Sequence, residues 1–143
     1  MASWRDSTSQ QAQDDLDGLL NAVLPFAEQS IARHGEMYPF GAAVTAAGEL
    51  KMLAVDPGAG EHPASQDVLD GLYVRARQSQ DEHRAVAFAA DVKANGSDAL
   101  RVELEHLEGT TLVLLPYTRS RFKKTVTLGQ MSSGVGERRI WTD

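Results

Sequence analysis

Five apolar runs of strand length, most of them joined by very short connections, restrict this 143-residue chain more than any other feature. Phe40–Ala47 and Leu50–Val55 are separated by a turn signal at Gly48. Asn95-Gly96 lies between Arg84–Val92 and the run beginning at Leu100, and Gly109 turns that run into Thr111–Tyr117. Connections this short join antiparallel neighbours, because a parallel pair needs a crossover of roughly a dozen residues or more. The sheet is therefore expected to be antiparallel. Arg84–Val92 is nearly all apolar and rich in alanine, which suits a central strand that a helix can approach closely. Leu100, Val102 and Leu104 alternate with Arg101, Glu103 and Glu105, the pattern of a half-buried strand with a solvated face.

Two segments change to helical spacing. Leu16, Leu19, Leu20, Val23, Ala27 and Ile31 recur every three or four residues, and Gly35 follows as a C′ stop. Pro25 inside this stripe predicts one helix with a kink. The second helix is expected to begin near Ser65, a good N-cap, with Asp67 in its first turn and Val68, Leu69, Leu72, Tyr73 and Ala76 on its buried side. Before it, Asp56–Pro63 is dense in chain breakers and reads as a loop.

These elements predict a single α+β domain, an antiparallel sheet of five to six strands in the order α-β-β-α-β-β-β(-β) with two main helices. The optional last strand is Phe122–Leu128. Residues 1–9 are expected to be a disordered N-terminal tail, 10–131 the domain, and 132–143 a flexible C-terminal tail carrying an Ile140-Trp141 clip.

Composition narrows the function classes. The chain has no cysteine, which removes disulfides, thiolate metal sites and cysteine nucleophiles together. Met1–Asp17 has neither the basic nor the apolar stretch of a signal peptide, and no run approaches a membrane span, so a cytoplasmic location is expected. The net charge of −6 disfavours nucleic acid as a partner of the whole surface. That charge is uneven: residues 117–143 carry six basic against two acidic residues, a local +4 against −10 for the remainder.

No reactive constellation emerges. His34, His62, His83 and His106 do not fall at the spacing of a helix-borne zinc site. His106 beside Glu105 and Glu108 reads as a cross-strand salt-bridge residue, with a metal or acid/base role as the alternative. Glu61, His62, Asp67 and Asp70 gather near the start of the second helix; helix-end stabilisation and solvent exposure explain them, and a divalent cation is the alternative. Gly58 and Gly60 match no phosphate-binding motif, and no nucleophile elbow occurs. No catalytic residue, metal ligand or cofactor is assigned.

The element order resembles profilin-like and roadblock/longin-type domains over roughly residues 10–117, with basic β-like sequence where the roadblock pattern has a last helix. Tyr38-Pro-Phe-Gly-Ala-Ala43 and Val102-Glu-Leu-Glu-His106 also resemble segments of functionally uncharacterised small proteins of high-GC bacteria. The resemblance implies a scaffold or docking role. From the residues, the leading expectation is likewise a non-catalytic interaction module that meets a protein partner or a second copy. Its candidate surface is Arg119, Arg121, Phe122, Lys123, Lys124 and Trp141, an array of cations with aromatic anchors. An edge strand with protective lysines and a packed-back Trp141 is the competing account. The Arg101-x-Glu103-x-Glu105 stripe reads as a solvated face, with recognition of a basic partner as its alternative. A small-ligand sensor or enzyme is the other function class, with a pocket between the first helix and the sheet lined by Phe26, Tyr38, Phe40 and Phe88.

Overall fold

Residue spacing alone makes the first helix amphipathic, and its buried stripe decides where it lies. The computed structural model describes residues 9–53, 65–94, 96–120, 122–123 and 125–142. Helix α1 spans Gln10–His34 without a break; Ser9 caps it by accepting the Ala12 N–H, and Gly35, at φ 78°, donates its own N–H to the Ile31 carbonyl. Pro25 does not divide the helix. Leu16, Leu19 and Val23 before it and Ala27 and Ile31 after it are all buried on one stripe, so packing on both sides of the proline holds one element.

The strands are β1 (Phe40–Thr45), β2 (Leu50–Leu53), β3 (His83–Ala94), β4 (Ser97–His106), β5 (Gly109–Ser120), β6 (Thr125–Leu128) and β7 (Ser132–Gly134). Helix α2 (Ser65–Gln78) and a 3₁₀ turn (Gln80–Glu82) lie between β2 and β3. All described pairings are antiparallel, in the order β2-β1-β3-β4-β5-β6, with β7 beside β5 as well. The expected class and element order are what the structure has. The Asp56–Pro63 loop, with Glu61 and His62, lies outside the described residues. Among those described, no helix is long and apolar enough to cross a membrane.

The alternation of each strand sorts its side chains between two cores. Ala42 and Val44, the alanines at 85, 87 and 89, and Leu100, Val102 and Leu104 pack under α1. Ala43, Val86 and Phe88 face α2 through Val68, Leu69, Leu72, Tyr73 and Ala76, the five residues expected on its buried side. Full burial of each large aliphatic side chain stabilises the fold by about 1.5–3 kcal/mol.

One irregularity has chemical consequences. Val44 pairs with Ala85 but Thr45 pairs with His83, leaving Arg84 as an extra residue in a bulge. A bulge re-aims the residue it carries. Arg84 accordingly reaches Asp15 of α1 through two hydrogen bonds, at 2.8 and 2.9 Å.

Candidate functional site: the groove between α2 and β4

The outer edge of β5 is shared by two short strands. β6 pairs with Tyr117–Ser120 and β7 with Leu112–Leu114. Beyond β7 the chain crosses the start of β5: Thr111 donates to the Gly134 carbonyl and Thr110 to the Gly136 carbonyl, both at 3.0 Å. A Cβ on Gly136 would lie 3.0 Å from Thr111 backbone atoms, so this crossing needs glycine. Arg138–Trp141 then settles between α2 and β4, on the sheet face opposite α1.

Two carboxylates receive it. Glu105, only 3% exposed, accepts three consecutive backbone N–H groups: Arg139 at 2.7 Å, Ile140 at 3.2 Å and Trp141 at 2.9 Å. Glu103 binds the Arg139 guanidinium at 2.6 Å and also accepts the Tyr73 hydroxyl. The guanidinium carbon lies 4.7 Å from the Tyr73 ring centroid, and the Arg139 carbonyl accepts Arg77 Nε at 2.7 Å. Burial, reinforced by the hydrogen bond to Glu103, holds the Tyr73 phenol above its ordinary pKa, so it remains a donor. Ile140 is 1% exposed within the α2 core, Trp141 Nε1 donates to the Gln80 carbonyl, and Arg138 donates to the carbonyls of His106 and Leu107.

The Arg101-Glu103-Glu105 stripe is thus not the solvated face that its alternation suggested. Alternation tells which residues share a face but not what returns to cover it, and here a segment some 35 residues later in the chain does so.

The six residues expected to form one basic surface fall in different places. Arg119 donates from Nε to the Ile31 carbonyl at 2.9 Å and from Nη2 to Ala32 at 3.1 Å, satisfying acceptors at the α1 C-terminus. Trp141 is half-buried in the groove. Phe122 is fully exposed and Lys123 exposed at the turn between β5 and β6, while Arg121 and Lys124 lie outside the described residues. The sequence offered Glu103 and Glu105 only as the alternative reading of a solvated stripe, and gave no functional part to Tyr73 or Arg139. The signal that could have linked them was charge complementarity between the Glu103/Glu105 stripe and the Arg138-Arg139 pair.

His106 belongs to a second buried network. Its Nδ1 accepts the Glu108 N–H at 3.1 Å, so its proton sits on Nε2, facing Asp15 at 3.2 Å. Its acidic partner is therefore on α1 and not across the strand pair, and the contact is a hydrogen bond from Nε2. With that lone pair engaged and the ring 3% exposed, the imidazole is not placed to take a proton from a substrate. Among the described residues, no group of three or more acidic or histidine side chains converges as metal ligands would.

A cavity of about 570 Å³ opens beside the C-terminal half of α1, lined by Phe26, His34, Tyr38 and Phe40 among others. Phe88, expected in that lining, instead stacks edge-on against Tyr73 on the other face, at 4.8 Å between ring centroids. Its parity on β3 sends it there.

The chain matches no family model, no curated protein and no solved structure. No relative therefore lends it a function, and the reading rests on its own residues.

Proposed function

We propose that this chain is a non-catalytic protein-interaction module whose docking site is the groove between α2 and β4, filled in the isolated chain by its own Arg138–Trp141. The occupant it would exchange is the same segment of a second copy. The carrying observation is the Glu105 carboxylate, buried and accepting three successive backbone N–H groups. Three successive main-chain donors converge on one carboxylate only where the backbone bends, as it does at Ile140 and Trp141, so Glu105 selects a curved segment, while the Glu103–Arg139 pair and the Ile140 pocket add selectivity. If the segment leaves, buried Glu105 loses the three main-chain donors and Glu103 loses Arg139, keeping Tyr73 and Arg101, so the groove favours a replacement of the same chemistry. Exchange would release β7 from β5 and turn Ser132-Ser-Gly-Val-Gly136 from a paired edge into the connector.

A tethered segment acts at millimolar effective concentration, so a free peptide competes poorly with it. The test is a labelled peptide of residues 134–143 titrated into the intact chain and into Ile140→Ala, whose own segment holds less tightly. Saturable binding to the variant, at least about tenfold tighter than to the unaltered chain, is the expected result. A variant that melts cooperatively yet binds no peptide would show that the segment is only part of the core.

A further inference from the structure

The cavity beside α1 is built from a different set of residues. Phe26, Ser30 and His34 lie four apart on one flank of the helix, and Met37, Tyr38 and Phe40 lead into β1. The Phe26 and Phe40 rings meet at 4.7 Å between centroids, tilted by 59°, so one presents a face beside the edge of the other. Phe26 remains 49% exposed and Tyr38 42%, an unusual amount of aromatic surface left wet around one hollow.

The polar groups at its rim are few. Ser30 donates to the Phe26 carbonyl at 3.0 Å and is occupied. His34, Glu36 and the Tyr38 hydroxyl make no hydrogen bond or ion pair with any described residue. Arg119 is held by the carbonyls of Ile31 and Ala32, and Lys93 is paired with Asp98. The Asp91 carboxyl is held above its ordinary pKa, chiefly by burial, with Asp98 and Glu36 adding negative field against the Tyr117 hydrogen bond and the Lys93 charge. Glu36 is thus a carboxylate without an ion-pair partner among the described residues, at the mouth of an aromatic hollow.

We infer that this cavity binds a small organic cation of the alkylammonium class, its methyl groups against Phe26, Tyr38 and Phe40 and its charge answered by Glu36. Aromatic faces attract a cation through their quadrupole, and an alkylammonium loses less hydration than a bare ammonium on entering such a hollow. The volume, about 570 Å³, is that of a small-molecule site. An anion would meet the Glu36 charge, and a neutral ligand would use only the apolar wall.

Choline and its neutral carbon isostere 3,3-dimethylbutan-1-ol have nearly one shape and differ in charge. Titrating each into the full chain, followed by amide chemical shifts, is the test. Choline should saturate at millimolar concentration with shifts confined to residues 26–40 and Ser65, which also lines the cavity, and the isostere should bind about tenfold more weakly. Phe26→Ala should weaken choline about tenfold, and Glu36→Gln about threefold. Both residues are surface-exposed, so both variants should keep the native amide spectrum. Equal affinity for the two probes would overturn the cationic class, and absence of saturable shifts with either would overturn the site. Neither outcome bears on the groove between α2 and β4, whose amides report separately.

Discussion

Replacing Glu105 by glutamine tests whether the groove holds its segment by charge. The amide keeps one acceptor oxygen, removes the negative charge and points an NH₂ where a main-chain N–H now donates. Glu105 accepts N–H groups at 2.7 and 2.9 Å from Arg139 and Trp141, with Ile140 at 3.2 Å. Hydrogen bonds to a charged group contribute about 1.5–3 kcal/mol each, and one or two of these would be lost at a site 3% exposed. The expected cost is about 3 kcal/mol, a large share of the roughly 5–15 kcal/mol that holds a domain together. That corresponds to a fall of about 10 °C in Tm. Urea unfolding followed by circular dichroism measures the cost. Trp141 fluorescence reports the groove itself in a Trp4→Phe background, where it is the sole tryptophan. Because Glu105 acts through the docked segment, its cost should shrink by at least about 1 kcal/mol when Ile140→Ala has already loosened that segment. A Glu105→Gln chain within about 0.5 kcal/mol of the parent, or an equal cost in both backgrounds, would refute the reasoning.

Three further outcomes follow from the structure. His83 is 4% exposed, neither ring nitrogen has a hydrogen-bond partner among the described residues, and burial, aided by Lys51, lowers its pKa below the ordinary 6.5. Its neutral form is fully compatible with folding above about pH 6.5, and stability should be lost as pH falls below that value towards the folded-state pKa. Urea midpoints between about pH 7.5 and pH 5 should therefore decline more steeply in the parent than in His83→Leu, and parallel curves would contradict this. Asp15→Asn removes the charge paired with Arg84 and one of the two oxygens shared by Arg84 and His106, and should cost about 3 kcal/mol by the same unfolding assay; a change under 1 kcal/mol would show the network to be dispensable. Deleting residues 118–143 removes β6, β7, Ile140, the main-chain donors to Glu105 and the Arg139 partner of Glu103, so the remainder should show no cooperative melt. A cooperative transition in that chain would show that these residues are accessory.

Local chemistry was enough for much of this protein. Period-two alternation, the turn signals at Gly48 and Gly109, and the helical stripe from Leu16 to Ile31 act over a few residues, so the antiparallel order and both buried helix faces could be read directly. The aromatic hollow was legible in part: Phe26, Tyr38 and Phe40 lie near one another in sequence or on adjoining elements, whereas Phe88 was misassigned because its face depends on the register of β3. The charged residues were another matter. Glu103 and Glu105 alternate with apolar neighbours like any wet strand face, and Arg119 reads as an exposed cation at a strand end. Only the folded chain brings Arg139, Ile140 and Trp141 onto those glutamates and the α1 carbonyls onto Arg119. A buried carboxylate is tolerable when its partners are already in place, and those of Glu103 and Glu105 come from 30 to 36 residues away along the chain. Which charges face water and which are enclosed was therefore decided by tertiary structure, because desolvation depends on everything that surrounds a group, while periodicity records only its neighbours along the chain.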